Sequence, residues 1–484
     1  MTDWQKKYPI KRFRWGGQMD FRQYIEALRD DLIKHTQETI KIKSVEGDEL
    51  PGMPFGKGNH EALTHFLKLG ESMGFRPLNL DGYAGHLEMG DGKETVGILA
   101  HLDVVPEGDG WTYPPYSGEI HNGKLYGRGT TDDKGPAMAA LYAMKAISES
   151  GVDLKRKVRL ILGLNEESGW RCMDHYFSKI EHPDMAFTPD AEFPVIHGEK
   201  GIIIFKLKYA LHQSKDCEVF LKELNGGAAP NMVPDNARAV VRPKDKVFFR
   251  ASVERYVNEK NLPITILEEG EDFIVSSKGV SAHGSTPEKG ENAITHLMDL
   301  LGTVYSGGCS MCSFIRLYNE RLANKHHGEA IGCGFEDDIS GKLNFNIGMV
   351  ELKDSEIILT INVRYPIKSS AEEVYAGIRE NLKETPIQLV EGKSDSKPLY
   401  VPQDNFLVET LMKVYQEHTG DFETKPITIG GGTYARATKN AVAFGPMFPG
   451  QEDVAHQKDE FISIDHLVEL VEIYSKAIYQ LASQ

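Results

Sequence analysis

The sequence predicts an α/β protein in which a mixed, mainly parallel sheet domain is interrupted by an inserted α+β domain. Apolar strand-like runs alternate with helix-like segments over the first 190 residues, which is typical of parallel sheets. Several of these strands end abruptly in ionisable residues, as they do where an open α/β sheet builds a site. From about Ala191 the strands begin to alternate, and the first pattern resumes after Pro402. We therefore expect residues 1–196 and 396–484 to form one domain and 197–395 to be inserted in it.

The predicted elements follow from hydrophobic periodicity and from glycine and proline positions. In the first part, we expect helices at 19–40, 61–73 and 134–150 and strands at 95–100, 157–164 and 185–187. In the insert, we expect strands at 201–209, 272–277, 342–351 and 356–365 and helices at 291–305 and 371–382, so that strand–helix–strand order occurs twice. In the last part, we expect helices at 405–418 and 465–482 and strands at 425–429 and 441–444.

Composition excludes several classes of protein. The chain has 484 residues, too many for one ordinary domain, and its formal net charge of −16 argues against nucleic acid or an anionic membrane as partner. No 18-residue apolar run is present, and the basic N-terminus MTDWQKKYPIKRFRW lacks the apolar segment of a secretory signal. Five cysteines do not suggest a disulfide framework. We expect a cytoplasmic protein.

His101 and Asp103 directly follow the first apolar strand. On extended backbone, residues two apart point to the same side, so the two side chains should be neighbours. A carboxylate beside an imidazole fixes its tautomer and makes the other ring nitrogen a better metal ligand. An isolated pair of this kind is more often an ordinary surface feature, and the choice depends on the rest of the chain.

Further ionisable residues occur at comparable points along the chain. They are His101, Asp132, Glu167, Asp190 and His456, which together supply two imidazoles and three carboxylates. Each alone could be a turn, an acidic first turn of a helix or a surface side chain. The ordered set instead favours a site for two divalent ions, with one carboxylate bridging them.

Five segments carry a resemblance to a known family: HLDVVPEGDGW, LYGRGTTDDKGP, LNEESG, TPDAEFP and AHQKDE, in this order. They resemble the signatures of the M20 metallopeptidases, which include aminoacylases, carboxypeptidases, desuccinylases and carnosinase-type dipeptidases. The DDKGP form, the lead-in WTYPPYSGEIHNGKLYGRG and the long insert look most similar to the bacterial peptidase V dipeptidases, which act on Xaa-His or β-Ala-Xaa. The resemblance implies a catalytic domain with an inserted lid domain.

The resemblance also implies the role of each ligand. His101 and Asp190 would bind one metal ion, Glu167 and His456 the other, and Asp132 would bridge them. Zn²⁺ is the expected ion, with Mn²⁺ or Co²⁺ as alternatives, because sites of histidine and carboxylate accept all of them.

Two more catalytic-domain residues receive roles in the same way. Asp103 would orient His101, and Glu166, next to the ligand Glu167, would be the general base on a water that bridges the metals. The chemistry is sound, because two cations lower the pKa of such a water and a carboxylate beside it can accept its proton.

In the insert, the segment HGSTPEKGENA places His283 where the family has a histidine that stabilises the tetrahedral oxyanion. Asn231, Arg364 and the glycine turn at Gly430 match positions that contact the substrate, and an arginine suits an α-carboxylate. The long insert resembles that of the monomeric relatives, so we expect a monomer.

The resulting hypothesis is a dinuclear metal-dependent dipeptidase that acts on unblocked dipeptides with a free C-terminal carboxylate. An N-acyl amino acid deacylase of the same family and a non-catalytic metal-binding relative are the alternatives, and the preferred dipeptide stays open. Cys309 and Cys312 form a CxxC without a second pair, so we expect a structural role. Cys172 is expected to pack beside the site rather than to act as a nucleophile.

Overall fold

The computed structural model describes residues 20–213, 217–305 and 308–484. They divide into two compact units. The first unit comprises residues 20–197, Tyr400–Ile427 and Gly432–Gln484, and the second comprises Gly198–Leu399 with Thr428–Gly431. The turn at Gly430, which the sequence analysis assigns to the segment 396–484, thus belongs to the second unit. The expectation about the basic N-terminus concerns residues outside the described part.

The first unit is built around a mixed sheet. Its strands lie in the order Arg76–Leu80, Ala84–Met89, Lys157–Gly163, Thr95–His101, Met185–Thr188, Ala441–Ala443, Ile196–Glu199 and Leu399–Tyr400, with Ile427–Ile429 beside Ile196–Glu199. The four strands from Lys157–Gly163 to Ala441–Ala443 are parallel to one another, and the pairings on either side of them are antiparallel. The predicted mixed α/β class is confirmed, with its parallel part confined to the centre of the sheet.

Helices cover this sheet. They are Arg22–Ile40, Lys57–Ser72, Lys134–Ser150, Arg171–Lys179, Phe406–Thr419 and Ile464–Ala482. Lys134–Ser150 packs against the first and the last of them and is almost wholly buried, which explains its alanines and methionines. It ends at Gly151, whose left-handed conformation (φ 69°) closes the helix without a side-chain clash.

Smaller elements complete the first unit. Ile120–His121, Lys124–Tyr126 and Phe461–Ser463 form a small antiparallel sheet, Ala191–Glu192 pairs with Pro446–Met447, and Tyr434–Ala437 is a 3-10 helix.

The second unit contains an antiparallel sheet with helices. In sheet order the strands are Ile264–Glu269, Asp272–Lys278, Asn236–Pro243, Val219–Gly226, Asn344–Lys353, Glu356–Tyr365, Gly201–Ala210 and Ile387–Val390, with Asp395–Ser396 beside Gly201–Ala210. The helices are Lys246–Lys260, Ala293–Val304, Ser310–Arg321 and Ala371–Leu382, the 3-10 turns are Pro287–Lys289 and Glu329–Ile331, and Glu336–Asp337 pairs with Gly341–Lys342. Alternate residues of Gly201–Ala210 are buried, which matches a sheet covered by helices on one face.

Several elements of the second unit do not follow from periodicity. In helix Lys246–Lys260, Val247 and Phe248 are exposed whereas Phe249 and Val253 are buried, so the apolar residues do not mark one face. Strand Val219–Gly226 carries an irregularity between Leu221 and Glu223 that breaks its alternation.

Two of the five cysteines form a disulfide. Cys309 and Cys312 are joined in a disulfide across the start of helix Ser310–Arg321, while Cys172, Cys217 and Cys333 are free. A single local disulfide of this kind is not a framework. Across the residues that the structure covers, no helix is long and apolar enough to cross a membrane.

Candidate active site

The site of the first unit lies where the central parallel strands end. The register pairs His101 with Gly163, and Ala443 with Thr188, so the carboxyl ends of these strands share one edge of the sheet. Asp103 follows the first strand, Glu166 and Glu167 follow the strand that ends at Gly163, and Asp190 follows Thr188. Because parallel strands bring their carboxyl ends together, residues as distant in sequence as His101 and Asp190 become neighbours.

Asp132 is central to the cluster. Its Oδ1 lies 2.9 Å from His101 Nε2, and its Oδ2 lies 2.9 Å from His456 Nε2. His456 Nε2 is also 3.1 Å from Glu167 Oε1, and His101 Nε2 is 3.8 Å from Asp190 Oδ2. The structure thus brings together all five predicted ligands, and each carboxylate oxygen of Asp132 faces a different histidine.

Asp103 connects two of these residues. The His101 Nδ1 atom lies 3.0 Å from the Asp103 carbonyl oxygen and 3.5 Å from its Oδ1, and both side chains are buried. The other carboxylate oxygen, Oδ2, accepts a hydrogen bond of 3.0 Å from the backbone N–H of Glu167. With Nδ1 turned towards Asp103, His101 directs Nε2 into the cluster.

Glu166 belongs to the same cluster. Ligand-type atoms of His101, Asp132 and Glu167 lie within 4.8 Å of one another, and so do those of His101, Glu166 and Asp190. The indole Nε1 of Trp170 donates a hydrogen bond of 3.2 Å to Glu166 Oε1. Distances alone would also allow Glu166 to serve as a ligand, so its assignment as a base stays a prediction.

The carboxylates raise one another's pKa values. Burial, followed by the charge of Asp190, raises the pKa of Glu166 well above its usual range. Burial and then the charge of Asp132 raise the pKa of Glu167, and the same two causes raise that of Asp190 to about 6. So many carboxylates in a protected place are mutually repulsive unless positive charge is supplied.

The two histidines supply part of that charge. Burial raises the pKa of Asp132, but hydrogen bonds from His101 and His456 outweigh it and leave the pKa below its usual range. Hydrogen bonds with Asp132 and Glu167 raise the pKa of His456 to about 11, although its side chain is half exposed.

This donor set fits divalent cations. Imidazole nitrogens and carboxylate oxygens are the ligands that Zn²⁺ and Mn²⁺ accept, and Asp132 has an oxygen directed to each half of the cluster. Cations at this place would also relieve the repulsion among the carboxylates.

Arg128 and Glu460 hold two loops of the site together, and the sequence analysis did not single them out. The buried Glu460 carboxylate accepts hydrogen bonds from the backbone N–H groups of Gly129, Thr131 and Asp132 at 2.9–3.3 Å, and from Arg128 Nη1 at 2.7 Å. The other arginine nitrogen, Nη2, donates to the carbonyl of His456 at 3.2 Å. In the sequence, Arg128 lies in the segment LYGRGTTDDKGP and Glu460 ends the segment AHQKDE, four residues after His456.

Cys172 packs behind the site. Its Sγ lies 2.9 Å from the hydroxyl of Tyr434, whose ring meets that of His101 edge-on. Burial raises the pKa of the Cys172 thiol to about 12, so the thiolate needed for nucleophilic attack is disfavoured. The geometry is that of a packing residue.

The predicted substrate-binding residues meet in the second unit. Arg364 is buried, with Nη1 2.9 Å from the carbonyl oxygen of Gly430 and Nε 2.9 Å from Asn362 Oδ1. His283 and Asn231 are in adjacent segments, because the N–H of Gly284 donates to the carbonyl of Asn231 at 2.7 Å.

Asn346, which the sequence analysis did not single out, fixes the segment that carries Asn231. Its side-chain nitrogen donates to the carbonyls of Pro230 and Met232 at 2.8 and 2.9 Å, on either side of Asn231.

Comparison with protein families gives one match over most of the chain. The model of peptidase family M20/M25/M40 matches residues 97–480. Among curated proteins, "Putative dipeptidase YtjP" of Bacillus subtilis (strain 168) is 42% identical over 466 residues, covering 95% of this chain and 99% of that protein. A "Putative dipeptidase" of Staphylococcus epidermidis is 36% identical over 467 residues, with the same coverage of 95% and 99%.

Solved structures share the fold at low identity. The aminoacylhistidine dipeptidase of Vibrio alginolyticus superposes with a TM-score of 0.56 at 14% identity, covering 95% of this chain and 98% of that one. Human carnosine dipeptidase 1 gives a TM-score of 0.54 at 16% identity, with coverage of 96% and 98%.

Proposed function

The chain belongs to peptidase family M20/M25/M40, and from this premise we propose that it is a dinuclear metal-dependent dipeptidase. It would hydrolyse unblocked dipeptides that carry a free C-terminal carboxylate. The observation that carries the proposal is the convergence of two histidines and four carboxylates at the carboxyl ends of the parallel strands. The names of the two curated relatives agree with the dipeptidase part of the proposal, since both contain the words "Putative dipeptidase".

We assign the metal ligands as follows. His101 and Asp190 would hold one ion, Glu167 and His456 the other, and Asp132 would bridge, with Zn²⁺ as the ion and Mn²⁺ or Co²⁺ as alternatives. When bound, two such cations acidify a water molecule and polarise the carbonyl of the scissile bond. Asp103 would keep His101 in the orientation that directs Nε2 to its ion.

Glu166 would carry the proton. As a base it accepts a proton from the attacking water, and as an acid it delivers that proton to the nitrogen of the leaving amino acid. Its burial, which raises its pKa, suits the return step, because a carboxylate in a protected pocket holds a proton more readily. The Trp170 indole, 3.2 Å from Oε1, would fix the direction of the carboxylate.

The second unit would supply the groups that recognise the substrate. His283 would donate a hydrogen bond to the oxyanion that forms as the carbonyl is attacked. Arg364 and the backbone of the Gly430 turn would bind the C-terminal carboxylate, with Asn231 as a further substrate contact. Arg364 and Gly430 are already joined by a hydrogen bond, which supports a shared role.

We also propose that the enzyme works as a monomer in the cytoplasm. One chain contains a second unit with helices and strands enough to present His283 without a partner's help. Among the described cysteines, three are free and the disulfide joins residues only three apart, unlike the frameworks of small secreted domains.

A panel of matched substrates tests the proposed function. The metal-loaded enzyme is assayed on a dipeptide, its C-terminal amide, its N-acyl derivative and the corresponding tripeptide. We expect the dipeptide to be hydrolysed far faster than the other three. The amide lacks the charge for Arg364, the N-acyl compound lacks the free amino group, and the tripeptide has one terminus a residue further from the scissile bond. Equal rates for the dipeptide and its amide would contradict the role of Arg364, and preference for the N-acyl compound would instead indicate a deacylase.

A further inference from the structure

We propose that Ser285 is a positioning residue that holds the ring of His283 with its proton on Nε2. His283 Nδ1 lies 2.7 Å from the hydroxyl oxygen of Ser285 and 3.4 Å from the backbone nitrogen of the same residue. The inference rests on the proposed function, in which His283 stabilises the oxyanion. It adds a residue that reaches the reaction only through His283.

The direction of these hydrogen bonds determines the tautomer. A backbone N–H can only donate, so the nitrogen that faces it must offer a lone pair. The serine hydroxyl can donate to the same nitrogen. Two donors converging on Nδ1 leave the ring proton of neutral His283 on Nε2. An N–H on Nε2 is the donor that a developing oxyanion requires.

Gly430 explains why Ser285 keeps its place. A Cβ atom added at position 430 would lie 2.7 Å from the Cβ of Ser285, so the glycine backbone packs directly on the serine. The carbonyl of Gly430 accepts the hydrogen bond from Arg364. The residues proposed for the oxyanion and for the carboxylate are thus parts of one block, and Ser285 lies between them.

The main chain around His283 does not depend on the serine hydroxyl. The N–H of Gly284 donates to the carbonyl of Asn231 at 2.7 Å, and the N–H of Val233 donates to the carbonyl of Ala282 at 2.8 Å. The N–H of Thr286 donates to the carbonyl of His283 at 3.0 Å. Replacement of Ser285 by alanine should therefore leave the segment folded and remove only the hydroxyl donor to the ring.

Kinetics of the metal-loaded full chain test whether Ser285 affects turnover through His283. A hydrogen bond between neutral groups is worth a factor of about 3 to 10, so S285A should lower kcat by that factor, with KM for the dipeptide unchanged. Ser285→Thr keeps the hydroxyl and should restore kcat. Ser281, in the same segment, bonds to the carbonyl of Val233 and not to His283, so S281A is the matched control and should match the unchanged enzyme.

A double variant separates positioning from an independent effect. Once His283 is replaced by alanine, adding S285A should lower kcat no further, because Ser285 acts only through that ring. Independent, multiplying effects of the two substitutions would overturn the proposal. So would failure of Ser285→Thr to restore kcat, or an equal loss in S281A.

Nitrogen NMR of the ring gives a readout that needs no activity. In the ¹⁵N-histidine-labelled enzyme, with His283 assigned by its loss in H283A, we expect an acceptor-type Nδ1 and a protonated Nε2, and S285A should shift the ring towards the mixture found in solvent. A ring protonated at Nδ1, or a pattern unchanged by S285A, overturns the proposal. If H283A leaves kcat unchanged, the proposed function of His283 fails, and the spectrum still decides whether Ser285 holds the ring.

Discussion

The two units present opposite chemistry at the places where the site residues gather. In the first unit, carboxylates such as Asp132, Glu167 and Asp190 surround two histidines, and nearly all the groups are acceptors. In the second unit, Arg364 and His283 are held by a neutral amide, a hydroxyl and a backbone carbonyl. An excess of acceptors suits cations, whereas a guanidinium group and an imidazole N–H are donors that suit an anionic ligand.

The hydrogen bonds that hold the site residues in place also differ between the two units. The members of the first group gather at the carboxyl ends of the parallel strands and bond to one another, so removal of one member changes the electrostatics of the others. Arg364 lies on an antiparallel strand and donates hydrogen bonds to the side-chain oxygen of Asn362 and the carbonyl of Gly430. Substitutions of the five proposed ligands in the first unit should therefore alter metal binding, whereas substitutions of the substrate-binding residues in the second should alter turnover at constant metal content.

Metal removal should have the largest effect. If the acceptor-rich cluster of the first unit exists to bind cations, a chelator should abolish dipeptide hydrolysis, and Zn²⁺, Mn²⁺ or Co²⁺ should restore it. Elemental analysis of the reactivated enzyme should give two ions per chain. Full activity in protein shown to be metal-free would contradict the proposed role of the first-unit cluster in binding cations.

Glu166→Ala should lower kcat by at least about 100-fold, the usual scale for the loss of a general base. The five proposed ligands are untouched, so the protein should keep its metal and its fold. Steady-state kinetics and metal analysis of the same preparation check both statements.

Glu167→Ala is the matched comparison for this variant, because the two glutamates are adjacent in the chain. We expect Glu167→Ala to lose metal, since its carboxylate lies 3.1 Å from His456 Nε2. The reverse outcome, in which the first variant loses metal and the second retains it, would exchange the two roles.

His283→Ala tests the second unit. Loss of one oxyanion donor costs about 100- to 1000-fold in kcat, and the metal content should not change because His283 is not a proposed ligand. The predicted monomer adds a further test. Mixed preparations of inactive His283→Ala and Glu166→Ala chains should stay inactive, and recovery of activity would show that the histidine is supplied by a second copy of the chain.

Sequence patterns predicted the two units unequally. Helices Lys134–Ser150 and Ala371–Leu382 have the predicted bounds, and strand Thr95–His101 is longer by one residue, because each shows a clear period or a strong end signal. Strands Val219–Gly226 and Asn236–Pro243 were missed. In such elements the buried pattern is broken by an irregular register or by exposed apolar residues, so tertiary packing outweighs the local signal.

The residues of the site were predicted more completely than the residues that hold them in place. Ionisable residues at strand ends carry a visible signal, and the structure brings His101, Asp132, Glu167, Asp190 and His456 together. Ser285, Asn346 and Glu460 act through hydrogen bonds to backbone groups that only the folded chain brings near them. A sequence pattern does not show which carbonyl or N–H a side chain will meet.

Glu460→Gln should have the smallest effect, and it acts through the first unit without removing any ligand. The Glu460 carboxylate now accepts hydrogen bonds from donors that include Asp132 N and Arg128 Nη1. The NH₂ group of a glutamine side chain cannot accept them and would face these donors unfavourably. Loss of such a support commonly weakens metal binding by about 10- to 100-fold. Titration of the metal-free protein with Zn²⁺, followed by calorimetry, should show this weakening, while kcat at saturating metal falls much less.

Glu88→Gln is a suitable control, because Glu88 forms a partly buried pair with Arg159 at 2.9 Å but bonds to neither loop of the site. It should lower stability without changing Zn²⁺ affinity. Equal weakening in both variants would mean that any buried ion pair of the first unit matters in the same way. Weakening in Glu460→Gln alone would show that this carboxylate, by binding the N–H groups before Asp132, sets the position of the bridging ligand relative to His456.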